Sequence, residues 1–394
     1  MRGSQSKERE ITATCVRPES VLICGDCTLA GCFFPLASLS CDMPPHILVI
    51  NPGSTSTKLA LFEGQILRSA LTVRYESAEL DSFAGIWKQF DFRMEGIRRW
   101  IRSEVHAPLS AVVAMGGLLR PVQGGTYRVN DRMLADARAN LQGEHASNLG
   151  CAMADALARE HGCQAYVGDP VSVDEIEPLA RYSGHPLIQR SSLSHALNIH
   201  AAARRAATEL GRPLGEIRLV VAHLGGGISV APVLGGKIID VNDANSDGPF
   251  SPERTGGLPL QQFIALCFSG TYSEAEIRSL VRGRGGLTAY LGTPQATEVE
   301  RRIADGDALA REVFEAMAYQ ISKEIGAMAT VLKGALDAVV LTGGLAGSAM
   351  LTGWIQERVQ YLGQLLIYPG EDEMRALAEG ALRVLQGAET AAEY

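Results

Sequence analysis

From His46 onward the apolar positions of the chain follow two alternating patterns. Short unbroken runs mark buried strands, and longer segments with an apolar residue every third or fourth position mark helices. HILVIN (46–51) and KLALF (58–62) predict the two strands of a hairpin. Ala78 to Glu104 predicts one helix, with Phe83, Ile86, Trp87, Phe90, Met94, Ile97 and Ile101 as its core-facing stripe. A strand is expected over Leu109–Met115, ending in Gly116-Gly117. A small-residue helix over Asn148–Gly162 and a short strand over Gln164–Pro170 follow.

The second half repeats the theme. A helix over Leu193–Gly211 precedes the strands Ile217–Leu224 and Ile228–Leu234, and a further strand ends at Asp240. A long amphipathic helix spans Asp307–Gly334, then a strand, a Gly-Gly turn and a helix occupy Leu336–Leu351. The last helix, Pro369–Gly387, carries acids in its first turn, where the helix dipole favours them. ILVINPGSTSTKLALF and VVAHLGGGISVAPVL are both strand, small-residue turn, strand. They lie about 175 residues apart, which predicts an internal duplication with a ligand cleft between two α/β halves.

Composition narrows the function. Of 394 residues 46% are apolar and 20% charged, which is globular. The net charge of −8 argues against a nucleic-acid partner, which wants a basic surface. It leaves small phosphorylated ligands open. No apolar run after Met43 is long enough to span a bilayer, so no membrane partner is expected. Cys15, Cys24, Cys27, Cys32 and Cys41 crowd the start, and Cys151, Cys163 and Cys267 are scattered, as in a reduced cytoplasmic protein. Residues 1–42 fit no part of the pattern. CGDC (24–27) lacks a second metal-binding pair, and LAGC (29–32) follows too short and too charged a run for a secretion signal. The leader is expected to be unstructured or untranslated, with Met43 as the natural start.

Three glycine-rich turns stand at strand ends. NPGSTSTK offers backbone amides, the hydroxyls of Ser54 and Ser56, and Lys58, with Asn51 at its entrance. This suits a phosphate or a plain polar hairpin turn. HLGGGIS places His223 before Gly225, Gly226 and Gly227, so that a polyphosphate can be gripped from two sides. LTGGLAGS, with Gly343 and Gly344, opens a helix whose amides can meet a phosphate or nucleoside. His145, Asn148, Asp169, His195 and Arg254 stand at other element ends. Taken singly, each suits a helix cap, a turn, a core residue or a surface pair as well as a site.

INPGSTSTK, GGLLRPVQGGTYRVN, EHASNLG, AHLGGGISV, DGPFSPERTGGLP, LTGGLAGS and YPGEDEMRALAEGALRVL occur in one collinear order. Together they resemble the butyrate kinase branch of the acetate kinase family, over Ile47 to Gln386. The resemblance implies the duplicated actin and sugar-kinase (ribonuclease H-like) α/β fold, two domains around a nucleotide cleft. The expected domains are 46–170 with 374–394, which bind the acid, and 171–373, which bind the nucleotide. It implies transfer of the ATP γ-phosphate to a short-chain fatty acid, giving an acyl phosphate and ADP, with Mg²⁺ and a homodimer. A carboxylate is already ionised at pH 7, so the site's task is charge neutralisation and alignment. By the same resemblance, Asp169, His195 and Arg254 are catalytic, and Asn51, Asp169 and Glu371 (or Glu373) face the metal. Gly225 to Gly227 cradle phosphates, Gly343 and Gly344 border the nucleoside, and His145 and Asn148 lie near the acid.

Two departures bear on the acid. Met115 stands where the family pattern has an arginine for the substrate carboxylate, and an apolar side chain makes no charged bidentate contact. Arg120, five residues on, is the candidate replacement. Ser194 stands where Phe is expected. Two other readings follow from Met115: an ATP-binding protein of this fold without acid kinase activity, or a phosphotransferase with another acceptor.

Overall fold

The computed structural model describes residues 44–394; the cysteine-rich leader and Met43 lie outside the described residues. The strands are β1 (His46–Pro52), β2 (Ser56–Glu63), β3 (Ile66–Arg74), β4 (Ala111–Met115), β5 (Thr126–Arg128) and β6 (Gln164–Gly168). They continue as β7 (Tyr182–His185), β8 (Ile188–Gln189), β9 (Arg218–Leu224), β10 (Ile228–Leu234), β11 (Lys237–Ile238), β12 (Ala338–Gly343) and β13 (Gln364–Pro369).

The duplication is real at the level of topology. One sheet runs β3-β2-β1-β4-β6-β5 and the other β11-β10-β9-β12-β13. In each, three antiparallel neighbours are followed by two parallel strands: β1 pairs antiparallel with β2 and parallel with β4, and β9 does the same with β10 and β12. The first sheet adds β5, antiparallel to β6.

Both sheets are covered on both faces, which is why β1 reads as an unbroken apolar run. Leu48 and Ile50 pack under the helices Phe90–Glu104 and Leu149–His161, while Ile47 and Val49 meet Leu377, Ala381 and Leu382 of the last helix, Glu373–Leu385. That helix, last in sequence, therefore returns to the first sheet. In the second half, Ala308–Val331 and Ala349–Val359 cover one face of the sheet and Ala196–Glu209 the other.

Two local expectations change, and one strand is added. The single helix expected over Ala78–Glu104 is broken: Gly85 at φ +92° separates a short helix (Ser77–Leu80) from a 3-10 turn (Ile86–Gln89) that feeds Phe90–Glu104. The strand expected to end at Asp240 shrinks to the two residues of β11. ILRSALTVR, not singled out by its pattern, is the edge strand β3, half exposed and so without an apolar run.

Candidate functional site

The first jaw is the turn between β1 and β2. The carbonyls of Gly53, Ser54, Thr55 and Ser56 are all drawn to protein donors. Arg93 donates to Gly53 O at 2.8 Å and Ser54 O at 2.9 Å, Tyr75 N donates to Thr55 O at 3.0 Å, and Gly53 N donates to Ser56 O at 2.7 Å. At the turn's base, Asn51 Nδ2 donates to Glu373 Oε2 at 2.6 Å, and Lys58 Nζ stands 3.7 Å from the same oxygen. Asn198 Nδ2 reaches Glu373 Oε1 at 3.4 Å. The first residue of the returning helix thus ties the turn to the second half of the chain.

The second jaw forms at the ends of β9, β12 and β13. The parallel register sets His223 beside Thr342, and Gly343 exchanges backbone hydrogen bonds with Gly370, so Glu371 follows directly. Gly343 has φ +94°, and a Cβ there would overlap the Leu224 carbonyl. Gly227 is needed for another reason: a side chain at that position would occupy the space of the Arg254 guanidinium. Arg254 donates to Ala244 O at 2.7 Å, and burial and the neighbouring Arg282 both press down its charged form. Gly344 begins a 3-10 turn, Gly344–Gly347, and the α-helix behind it starts only at Ala349, capped by Ser348.

Two imidazoles stack in this jaw, His195 on His223, with centroids 4.2 Å apart. His195 is held well below its ordinary pKa by burial, by His223 and by Arg254, so it is neutral at pH 7. Its Nδ1 lies 2.9 Å from Ser229 Oγ, whose oxygen also accepts from His195 N at 3.4 Å. When the Ser229 hydroxyl donates to Nδ1, the ring proton sits on Nε2 and that atom is a donor. His223 is 1% exposed, yet neither ring nitrogen has a hydrogen-bond partner. Its Nε2 stands 3.5 Å from Glu371 Oε1, and this imidazole, with Lys58 further off, lowers the Glu371 pKa. A buried imidazole left open beside a glycine turn is what a ligand's oxygens would complete.

The remaining expected site residues divide. His145 lines a cavity of about 380 Å³ together with Ser54, Leu80, Phe83, Ile86 and Glu144. Its Nδ1 also accepts from Ser147 N, the helix-cap role. Asn148 is not brought to the cavity. It is fully buried, accepting from Leu118 N and donating to Asn140 Oδ1 and Gly143 O. Its amide holds the 117–118 turn and has nothing left for an acid.

Asp169 follows directly on β6, two parallel strands from Asn51, but no bond joins it to the Asn51–Glu373 cluster among the described residues. Instead its Oδ1 accepts from Gly125 N at 2.7 Å and meets His200 Nδ1 at 2.9 Å, while His200 Nε2 meets Glu175 Oε2 at 3.1 Å. Arg120 is occupied too: its fork grips Asp136 at 2.6 and 3.1 Å, and Tyr394 shares that carboxylate. In this arrangement the Arg120 fork is committed to Asp136 and not to the place of Met115. Met115, half-buried at the end of β4, packs against the cluster that β1 forms with the last helix. On the metal-facing acid, the structure bonds Asn51 to Glu373, and Glu371 faces His223.

Arg93, His200, Glu175 and Arg282 were not among the expected residues. Arg93 had a readable signal, since it falls on the apolar face between Phe90 and Ile97, where a charge must have a partner. His200 lies on a buried helix face with Ala203 and Ala207. The Arg282 segment runs antiparallel to Arg254 through a bridge that no local pattern encodes.

Two matched sheets bring one small-residue turn beside Glu373 and a glycine turn beside Glu371, two residues away, an arrangement suited to a phosphotransferase. The chain belongs to the acetokinase family. That family's model matches residues 188–369. The chain is 50% identical to a probable butyrate kinase of Listeria innocua, over 89% of this chain and 100% of that protein. It is 48% identical to butyrate kinase 2 of Clostridium acetobutylicum, over 88% and 99%. In fold it is similar to the crystal structure of Porphyromonas gingivalis acetate kinase, with a TM-score of 0.70 at 17% identity, covering 86% of this chain and 100% of that one.

Proposed function

We propose that the protein transfers the γ-phosphoryl group of ATP to the carboxylate of a short-chain fatty acid, with butanoate giving butanoyl phosphate and ADP. The observation that carries this reading is the pair of acids Glu371 and Glu373, which stand at the second glycine turn through His223 and at the first turn through Asn51. Near-complete coverage of butyrate kinases at about half identity supports the acceptor class.

The acid needs no general base, being ionised at pH 7 with a pKa of about 4–5 like that of Glu. What the reaction needs is alignment and neutralisation of charge on the moving phosphoryl group. The turn 53–56 and the Gly225–Gly227 turn hold phosphates from two sides. Arg254 supplies a cation, and neutral His195 supplies a donor through Nε2. The open ring of His223 and the glycine-lined space beside it fit phosphate oxygens.

Mg²⁺ would be held by Glu373 or Glu371 with Asn51, and when bound it neutralises phosphate charge. Among the described residues no group of three His, Cys, Asp or Glu side chains forms a cage. That suits an ion that keeps waters and phosphate oxygens as most of its ligands. Asp169 acts on the site by fixing the end of β6.

The moving units are 46–170 with 374–394, and 171–373. The protein is cytoplasmic and homodimeric. The helix Leu260–Cys267 supports a dimer, having no buried residue and an apolar surface of Leu260 and Ile264 that Phe268 just beyond it extends.

The test is acyl hydroxamate formation from ATP, Mg²⁺, hydroxylamine and each straight-chain acid from acetate to hexanoate. Product above blank with butanoate is expected. No product with any acid overturns the reading.

A further inference from the structure

Arg93 is fully buried, and it is the largest such side chain among the described residues. Buried guanidinium groups ordinarily face a carboxylate, because an unpaired interior charge is costly. Here every acceptor is neutral. Besides Gly53 O and Ser54 O, the fork reaches Ser56 O and Thr57 Oγ1, both at 3.4 Å, and Gln89 Oε1 at 2.9 and 3.1 Å. The ring of Tyr75 lies 4.7 Å from its carbon. Burial lowers its pKa, and no carboxylate opposes that effect. A whole positive charge thus sits behind the turn without a counter-ion.

We propose that Arg93 is the positioning residue of this turn. It draws the carbonyls of Gly53 and Ser54 to the rear, so that the turn's hydroxyls and the amides after Gly53, whose own amide is held by Ser56 O, face a phosphoryl group in front. The charge of that phosphoryl group is the counter-ion Arg93 lacks. Gln89 aims the fork, since its Oε1 accepts from both Nε and a terminal nitrogen. The assignment rests on the reading of the turn as a phosphate site.

The full chain is compared with Arg93→Met, Arg93→Lys and Gln89→Met. Two readouts are taken: the rise in melting temperature on adding inorganic phosphate, and kcat and KM for butanoate. Wild type is expected to be stabilised by phosphate. Arg93→Met is expected to lose that stabilisation and about 100-fold in kcat, with KM for butanoate nearly unchanged. Arg93→Lys, which keeps the charge without the fork, recovers part of both. A merely structural role would lower the melting temperature without moving the phosphate response or splitting kcat from KM.

An Arg93→Met protein with wild-type phosphate response and kcat overturns the assignment. If that variant does not fold, Gln89→Met decides by the same two readouts, with a smaller loss expected and no loss overturning it. A wild type that phosphate does not stabilise also overturns it, while the kinase reading stands. A wild type that phosphate stabilises but that phosphorylates no acid overturns the kinase reading instead, and the Arg93 variants still decide this one.

Discussion

Asn51 and Glu373, 322 positions apart in the chain, meet at 2.6 Å with the amide donating to the carboxylate. The contact exists because the last helix leaves the second half of the fold and packs on the first sheet. Its first residue is thereby delivered to the turn after β1, where Lys58 and Asn198 also reach it. Glu373→Gln removes the charge shared by these three groups. The loss of charge-assisted bonds should lower kcat/KM by about 10- to 100-fold and raise the Mg²⁺ concentration for half-maximal rate. Glu371→Gln, which loosens only the His223 contact, should do less. Mg²⁺ titrations of both variants decide which acid matters more, and a larger effect at Glu371 reverses the assignment.

Met115 closes β4 between the ends of β1 and β6, and its side chain packs against the cluster that β1 forms with the last helix. Met115→Arg would place a cation there. If the acid's carboxylate lies beside that strand end, KM for butanoate should fall by about tenfold or more. The same change costs packing, so the melting temperature should drop. Arg120→Ala should leave KM unchanged, because its fork is already committed to Asp136 and its side chain is half exposed. A rise in KM for Arg120→Ala would show that the Asp136 pair opens during turnover.

The strands and turns that carry the site were legible because they are buried on both faces and punctuated by glycine. HILVIN, VVAHL and AVVLTGG each announce a strand and its stop. The quality of each polar residue was not legible. His145 and Asn148 look alike in EHASNLG, yet one faces a cavity and the other is sealed by three hydrogen bonds. The Asp169–His200–Glu175 chain and the Arg93 fork depend on elements packed across the sheets. A single sequence shows which residues are polar, and only packing shows which of them remain free.

Asn148 offers the clearest separation of structure from substrate binding. Asn148→Ala leaves Leu118 N without its acceptor and takes one donor each from Gly143 O and Asn140 Oδ1 in a part-buried place, where Trp87 Nε1 still reaches Asn140 Oδ1 at 3.3 Å. The expected cost is about 1–3 kcal/mol, from the Leu118 amide left unpaired and the space the buried Asn148 side chain vacates. Denaturant unfolding should show the loss. In the protein that remains folded, KM for butanoate should be close to wild type. A stable variant with a raised KM would return Asn148 to the acid's binding site.

His200 and His195 set opposite pH dependences. Burial alone would depress the pKa of His200, but Asp169 and Glu175 on either side override it and raise it to about 9. A group raised above its unfolded value of 6.5 contributes stability that is fully present below 6.5 and is lost as pH rises through about 9. His195 is shifted the other way, so the fold favours its neutral form. Stability on its account is full above 6.5 and falls as pH drops towards its lower folded value. The melting temperature should therefore be highest near neutral pH and decline on both sides between about pH 5 and 9.5. His200→Gln keeps a polar side chain but cannot be protonated. It should melt lower than wild type at neutral pH and lose much of the alkaline decline. His195→Gln should lose much of the acid decline and leave the alkaline limb in place. An alkaline limb of unchanged slope in His200→Gln would mean that His200 is not the group titrating there.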